Sequence, residues 1–249
     1  ILTEMWSDEL GMWHASVDGN RKVRGLLEDH VYVVDALLAA YTATGDPKYL
    51  RSAERIMVFV LKHFWDPAGG FFDVANDLRT TDGLLLREIR RRPFEDSPYS
   101  GANPVAALSL QRLHALTGND EYRLRHDELL MAFAGDAHRY GPVFAGTYLL
   151  AAELWVHPPP EIVILGPRTD AAVQALRAAA VETFAPGAAV LVVDKDDTFV
   201  PALVEPMLKT KEAKAGPVAF VCQGNVCSPP TASPERLREL LAGTAASVS

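Results

Sequence analysis

Three stretches of the chain place acids, aromatic rings and small polar side chains directly ahead of an apolar helical run. They are Leu27-Glu28-Asp29-His30-Val31-Tyr32, Asp96-Ser97-Pro98-Tyr99-Ser100-Gly101-Ala102-Asn103, and Arg139-Tyr140-Gly141-Pro142-Val143-Phe144-Ala145-Gly146-Thr147-Tyr148. Residues of these types can handle sugars. A pair of carboxylates supplies a general acid with a base or nucleophile, aromatic faces stack on pyranose rings, and Asn, Ser and Tyr bind hydroxyls. On this reading Glu28, Asp29, His30 and Asp96 are the catalytic candidates, and Tyr32, Ser100, Asn103 and Tyr148 the substrate-binding ones. Glu28 or Asp96 would serve as the acid, and His30 as the base of an epimerisation. Glu28 and Asp29 are adjacent, so on a helix they point about 100° apart. The second carboxylate of a catalytic pair must therefore come from Asp96 or another hairpin.

The same residues have a structural reading. Glu28 and Asp29 in a first helical turn complement the helix dipole. Asp96-Ser97 ahead of a helix is a common cap or Asx turn. Trp13, His14, Trp65 and Phe71 are candidates to line a pocket, but most such aromatics are core. Elsewhere the chemical signals are thinner. Gly166-Pro167-Arg168 follows an apolar run but lacks the glycines and the Lys-Ser/Thr of a phosphate loop. It reads as a plain strand-to-helix turn. His126 and His138 have no metal-ligand spacing, and no metal or other cofactor is expected. Cys222 and Cys227 enclose four residues, which fits neither the redox Cys-x-x-Cys spacing nor, without further ligands, a zinc site. A Gly-Asn turn between them allows a disulfide, but the reading favours two inert packing thiols.

What must position these residues is a set of helical hairpins. Ala43-Thr44-Gly45-Asp46-Pro47-Lys48-Tyr49 recurs as Leu116-Thr117-Gly118-Asn119-Asp120-Glu121-Tyr122, in register throughout. Each copy is a Gly stop followed by an Asp or Asn start, the junction of two helices. Helices are predicted over 26–43, 48–64, 103–116, 121–134 and 140–156. A hairpin with Asp18-Gly19-Asn20 as its turn is predicted in residues 1–25, and a turn with a short strand at 65–73, followed by a long irregular connection with a basic stretch at 87–92. A repeated hairpin points to a ring or solenoid, in which the starts of the inner helices gather at one mouth. His157-Pro158-Pro159-Pro160 ends this pattern. Beyond it, an apolar run from Glu161, a helix over 170–184 and a second run over 188–193 read as a parallel β-α-β unit. A further strand (217–222), a helix opened by Ser233 and a fraying tail follow. The fold class is mainly α: a portion of a ring or solenoid of helical hairpins over 1–157, then a small α/β subdomain over 161–242.

The 249 residues are 49% hydrophobic and 22% charged. That balance suits a globule with a sizeable core. The net charge of −8 argues against nucleic-acid partners and against an anionic membrane surface. No run is apolar enough to span a bilayer. The first residue, Ile1, opens an already amphipathic segment without the features of a signal peptide. The expectation is a chain lacking its N-terminal part. Two cysteines suggest a reducing compartment, by default the cytoplasm.

Five stretches occur in an order that carries a resemblance: Leu27 to Tyr32; Phe64-Trp65-Asp66 with Gly69-Gly70-Phe71-Phe72; Asp96 to Asn103; Glu161 to Gly166; and Ala219-Phe220-Val221-Cys222 through Cys227. The chain resembles the C-terminal part of the thioredoxin-domain-containing family related to spermatogenesis-associated protein 20. The resemblance implies that residues 1–157 are a partial (α/α)6 toroid similar to six-hairpin glycosidases and N-acylglucosamine 2-epimerases, here without the preceding thioredoxin-like domain and first hairpins. Two functions follow as expectations. One is carbohydrate binding or processing, by hydrolysis or epimerisation of a small sugar. The other is a non-catalytic scaffold that presents a partner to the redox domain outside this chain.

Overall fold

The computed structural model describes residues 1–77, 90–183, 187–197, 200–201, 204–224 and 226–246, with side chains as far as 243. Parts of the expected basic stretch, Asn225 of the Gly-Asn turn, the end of the helix at Phe184 and the extreme tail lie outside these residues. The fold is mainly α, with two small sheets. Its helices are α1 (Leu2–Met5), α2 (Leu27–Thr44), α3 (Pro47–Phe64), α4 (Ala102–Thr117), α5 (Asp120–Phe144), α6 (Gly146–Val156), α7 (Ala171–Glu182), α8 (Glu205–Leu208), α9 (Lys211–Ala215) and α10 (Pro234–Ala246). Its strands are β1 (Trp6–Ser7), β2 (Gly11–Val17), β3 (Asn20–Arg24), β4 (Glu161–Leu165), β5 (Ala189–Val193), β6 (Val218–Gln223) and β7 (Val226–Cys227).

Two compact units result. The first gathers 1–38, 48–111 and 121–152, and the second 39–47, 112–120 and 153–249. In the first, β1, β2 and β3 form an antiparallel sheet in sequence order. Its β2–β3 turn falls at Asp18-Gly19, both with positive φ, the signature of a tight hairpin. Leu27, Val31, Val34 and Leu38 along α2 are fully buried, and their helical spacing makes one apolar stripe. The segment after α3 folds back at Asp66–Gly69 and makes a single antiparallel bridge, Trp65 to Phe71, rather than a strand.

One helix boundary departs from the sequence reading. The fourth helix does not stop near Ala134, and no fifth starts at Tyr140. Gly135 is carried inside α5, which runs to Phe144 with a break at Gly141 (φ 69°, ψ 177°) before Pro142. A lone helical glycine costs only about 1 kcal/mol, whereas the Gly-Pro pair interrupts the hydrogen-bond ladder. The next helix, α6, therefore starts at Gly146.

The second unit contains both copies of the repeated turn, and they match bond for bond. Gly45 has a φ of 70° and Gly118 a φ of 71°. This is the left-handed conformation that ends a helix. The Gly45 N–H donates to Tyr41 C=O and the Gly118 N–H to His114 C=O, each at 2.7 Å. Thr44 and Thr117 hydroxyls donate back to Ala40 and Leu113 carbonyls, each at 2.7 Å. The same hydroxyls accept from the Asp46 and Asn119 N–H groups, each at 3.2 Å.

The sheet of this unit has the order β5-β4-β6-β7. β4 and β5 are parallel and joined through α7, while β6 and β7 are antiparallel additions. Ile162, Ile164, Val190, Val192, Ala219 and Val221 pack against Val173, Leu176 and Ala180 of α7 and Leu237 and Leu241 of α10. Arg168, in the β4–α7 turn, acts as a tie. It donates to Gly45 C=O (2.8 Å), to Val192 C=O (2.9 Å) and, through both terminal nitrogens, to Asp197. The expected pair of packing thiols is corrected: Cys222 and Cys227 form a disulfide. The intervening hairpin sets the two residues directly opposite each other in the β6–β7 register, which spacing alone did not decide.

Candidate functional site

The starts of α2, α4 and α6 are joined by hydrogen bonds, and the three polar stretches meet there. Asp96 is the hub. One oxygen accepts from Gly101 N–H (2.8 Å) just before α4, and the other accepts from Thr147 N–H (2.7 Å) in the first turn of α6. Its own N–H donates to Phe144 C=O at 2.9 Å. A carboxylate on two helix N-termini satisfies orphan donors and opposes two positive dipole ends. Ser100 extends the link: its hydroxyl accepts from Thr147 Oγ1 at 2.9 Å, and its carbonyl accepts from the Tyr32 phenol on α2. Asp96→Ala is expected to cost about 2 kcal/mol, two charged caps lost together. Urea unfolding would register it, and a midpoint unchanged from wild type would contradict this role.

Tyr32 lies at the centre of the cluster. Burial pushes its phenol up to about 12, and the charges of Glu28, Tyr99 and Asp96 push in the same direction. Glu28 and Asp96 thus both bear on one hydroxyl. The Tyr99 ring meets Tyr32 edge-on at 6.0 Å, and its hydroxyl lies 3.5 Å from a Glu28 oxygen. Tyr99 is mostly exposed. It is the part of the cluster most open to solvent, whereas Glu28, Tyr32, Asp96 and Ser100 are all half-buried.

The other candidates are held by the backbone. Asp29, in the first turn of α2, reaches back to accept from Leu26 N–H at 2.7 Å. This is the reach of the acidic member of an N-terminal capping box. Asp29 also meets His14 Nδ1 at 3.0 Å. His30 is 1% exposed. Its Nδ1–H donates to Leu26 C=O at 2.7 Å and its Nε2 accepts from Met12 N–H at 2.9 Å. These partners set the neutral tautomer. The ring stacks on Phe59 at 5.4 Å, and burial pulls its pKa down to about 4. Gly11 makes room for it, since a Cβ there would lie 2.6 Å from both His30 Nε2 and the Phe59 ring. His30 offers no unoccupied nitrogen to a substrate.

Asn103 is fully buried and clamps neighbouring backbone. Its Oδ1 accepts from Phe71 N–H (2.7 Å), and its Nδ2 donates to Phe71 C=O and Pro93 C=O (both 2.9 Å). Tyr148 is buried against Phe94 at 5.4 Å and donates to Leu130 C=O at 2.6 Å. The helix starts therefore bring Glu28, Tyr32, Asp96 and Ser100 together. Asp29, His30, Asn103 and Tyr148 are turned to architectural partners.

Sequence reasoning did not single out Thr147 or Tyr99. Both lie in the quoted stretches, and a Thr just inside a Gly start was the available signal. A separate open cleft of about 350 Å³ is lined by Asp73, Arg91, Arg92, Phe94, Glu95 and Tyr140, among others. The Tyr140 phenol there is raised by its hydrogen bond to Glu95. Among the described residues no group of three or more His, Cys, Asp or Glu is arranged to hold a metal ion. Among them, too, no helix is long and apolar enough to cross a membrane.

Comparison with known proteins bears on this arrangement. The chain is homologous to spermatogenesis-associated protein 20. It is 30% identical to the Homo sapiens protein over 218 residues, covering 87% of this chain and 27% of that one. It is 29% identical to the Rattus norvegicus protein, again over 87% of this chain and 27% of the relative. It is also 23% identical to the uncharacterized protein B0495.5 of Caenorhabditis elegans, over 89% of this chain and 29% of that protein. The chain spans little more than a quarter of the length of these curated relatives. No family model matches it.

Proposed function

We propose that this chain is a non-catalytic helical scaffold within a longer protein of the spermatogenesis-associated protein 20 type, part of an (α/α)6 toroid that holds a partner segment. The observation that carries this reading is the use of the candidate catalytic groups. Each oxygen of Asp96 heads a helix, Asp29 caps α2, and both nitrogens of His30 are bound to backbone. A general acid or base must exchange a proton with substrate; both His30 nitrogens are taken by backbone, and the two carboxylates are held as backbone acceptors at helix starts. The expected partner is the N-terminal part of the same protein. Mixing that part with this chain should give co-elution on size exclusion, and separate elution at micromolar concentration would overturn the reading.

A second reading, carbohydrate binding with processing by the longer protein, is favoured by one observation. The half-buried Glu28 carboxylate and the exposed Tyr99 ring lie together beside the Tyr32 phenol. Calorimetric titration of mono- and disaccharides separates the two. The scaffold gives no heat, whereas a saccharide heat abolished in Glu28→Gln would establish the sugar reading in its place.

A further inference from the structure

The Cys222–Cys227 bond joins two residues of very different exposure. Cys222, on β6, is fully buried, whereas Cys227, on the two-residue edge strand β7, is exposed. The pair sits opposite in register beside Val221 and Ser228, where the Ser228 N–H donates to Val221 C=O at 2.8 Å. The bond closes a loop of only a few residues, and short loops gain least from cross-linking. β6 is held independently by five paired positions along β4. Thr231 and Ala219 exchange two further backbone hydrogen bonds, 2.8 and 2.9 Å, beyond the hairpin. β6 is therefore held in place without the bond, and Cys227 is the exposed residue of the pair. On the other side of the hairpin, Val221, Gln223, Val226, Ser228 and Leu240 line a cleft of about 450 Å³. The β7 wall of that cleft, where Val226 is 75% exposed, is the strand that the disulfide tethers.

We propose that Cys222–Cys227 is a thiol–disulfide exchange site for a dithiol reductant, entered at Cys227, whose state sets how firmly β7 is held against β6. A thiolate of the dithiol attacks Cys227 Sγ. The S–S bond breaks, and its electron pair leaves on Cys222 Sγ, which takes up a proton. The second thiolate of the reductant then attacks its own sulfur in the mixed disulfide, closing the reductant's disulfide and freeing Cys227 as a thiolate that is protonated in turn. Two electrons and two protons pass from the dithiol to the protein. A monothiol makes the first step alone and needs a second molecule of itself to complete the reduction. Its mixed disulfide at Cys227 faces the Cys222 thiol directly across the hairpin, which expels it and recloses the ring. Selection for a dithiol thus follows from the register. Exchange is directed to Cys227 because attack requires access to the sulfur.

The test uses the native protein treated with dithiothreitol or with reduced glutathione at equal thiol concentration, acid-quenched, alkylated in denaturant and weighed. Two labels are expected after dithiothreitol and none after glutathione. In Cys222→Ser the Cys227 thiol should label natively at least about tenfold faster than the Cys222 thiol of Cys227→Ser. Hydrogen exchange at the Ser228 amide should accelerate on reduction while the thermal midpoint holds. Resistance to dithiothreitol until denaturant is added would make the bond a fixed staple and overturn the proposal. So would thiols that fail to pair in oxidised glutathione, or a fold that collapses on reduction.

Discussion

Asn103→Ala is expected to destabilise the protein by about 4 kcal/mol, the largest single effect among the residues that read as site candidates. The Phe71 N–H and C=O point away from the Trp65 bridge, and among the described residues no strand receives them. The Asn103 amide takes the place of that strand, accepting from one group and donating to the other, while its second amide hydrogen serves Pro93 C=O. Removing it strands buried backbone groups at roughly 1–3 kcal/mol each. Asn103→Asp should be at least as damaging, because a carboxylate cannot donate to two carbonyls. Ser109→Ala is the matched control on the same helix. Ser109 is fully buried, and its hydroxyl has no hydrogen-bond partner among the described residues. Its loss should change stability by less than about 0.5 kcal/mol. Urea denaturation of the three variants would check the series. An Asn103→Ala midpoint close to that of Ser109→Ala would remove the clamp from the account.

Acid should weaken the first unit through His30. Burial holds the folded-state pKa at about 4, against an ordinary value of 6.5, although the Leu26 carbonyl and the Asp29 charge pull the other way. Between these values the unfolded chain binds a proton that the folded chain refuses. The stabilisation is complete above about pH 6.5 and is lost as the pH falls towards about 4, by at most about 3 kcal/mol. His30→Gln keeps an acceptor near Met12 N–H and removes the titration. It should start less stable at neutral pH and show a flatter profile across this window. Equal slopes for the two proteins there would show that His30 is not the group responsible.

Much of the frame was legible because local chemistry decides it. Thr-Gly-Asp and Thr-Gly-Asn stop one helix and start another through the side chain and backbone of a few consecutive residues, so the repeat could be read and its hydrogen bonds then coincided. The gathering of helix starts also followed from that repeat. The roles within the cluster were less accessible. Asp96 and Asn103 carry groups suited to a substrate, and nothing local says that their partners are Thr147 N–H, 51 residues away, or Phe71, 32 residues away. His30 read as a base because composition cannot reveal that Met12 approaches its Nε2 across 18 residues. The break at Gly141 and the cysteine pairing were missed for a related reason. Each depends on which of two glycines, or which of two thiol fates, the surrounding packing selects.

The hold of Arg168 on Gly45 bears on how the chain can be dissected. The three prolines at 158–160 look like an invitation to cut. A piece beginning there would carry Arg168 and Asp197 but leave behind the carbonyl at residue 45 that the guanidinium also grips. The cation would keep its carboxylate and lose a neutral anchor. The excised sheet would then be a poorer proxy for its intact form than the sharp sequence boundary suggests.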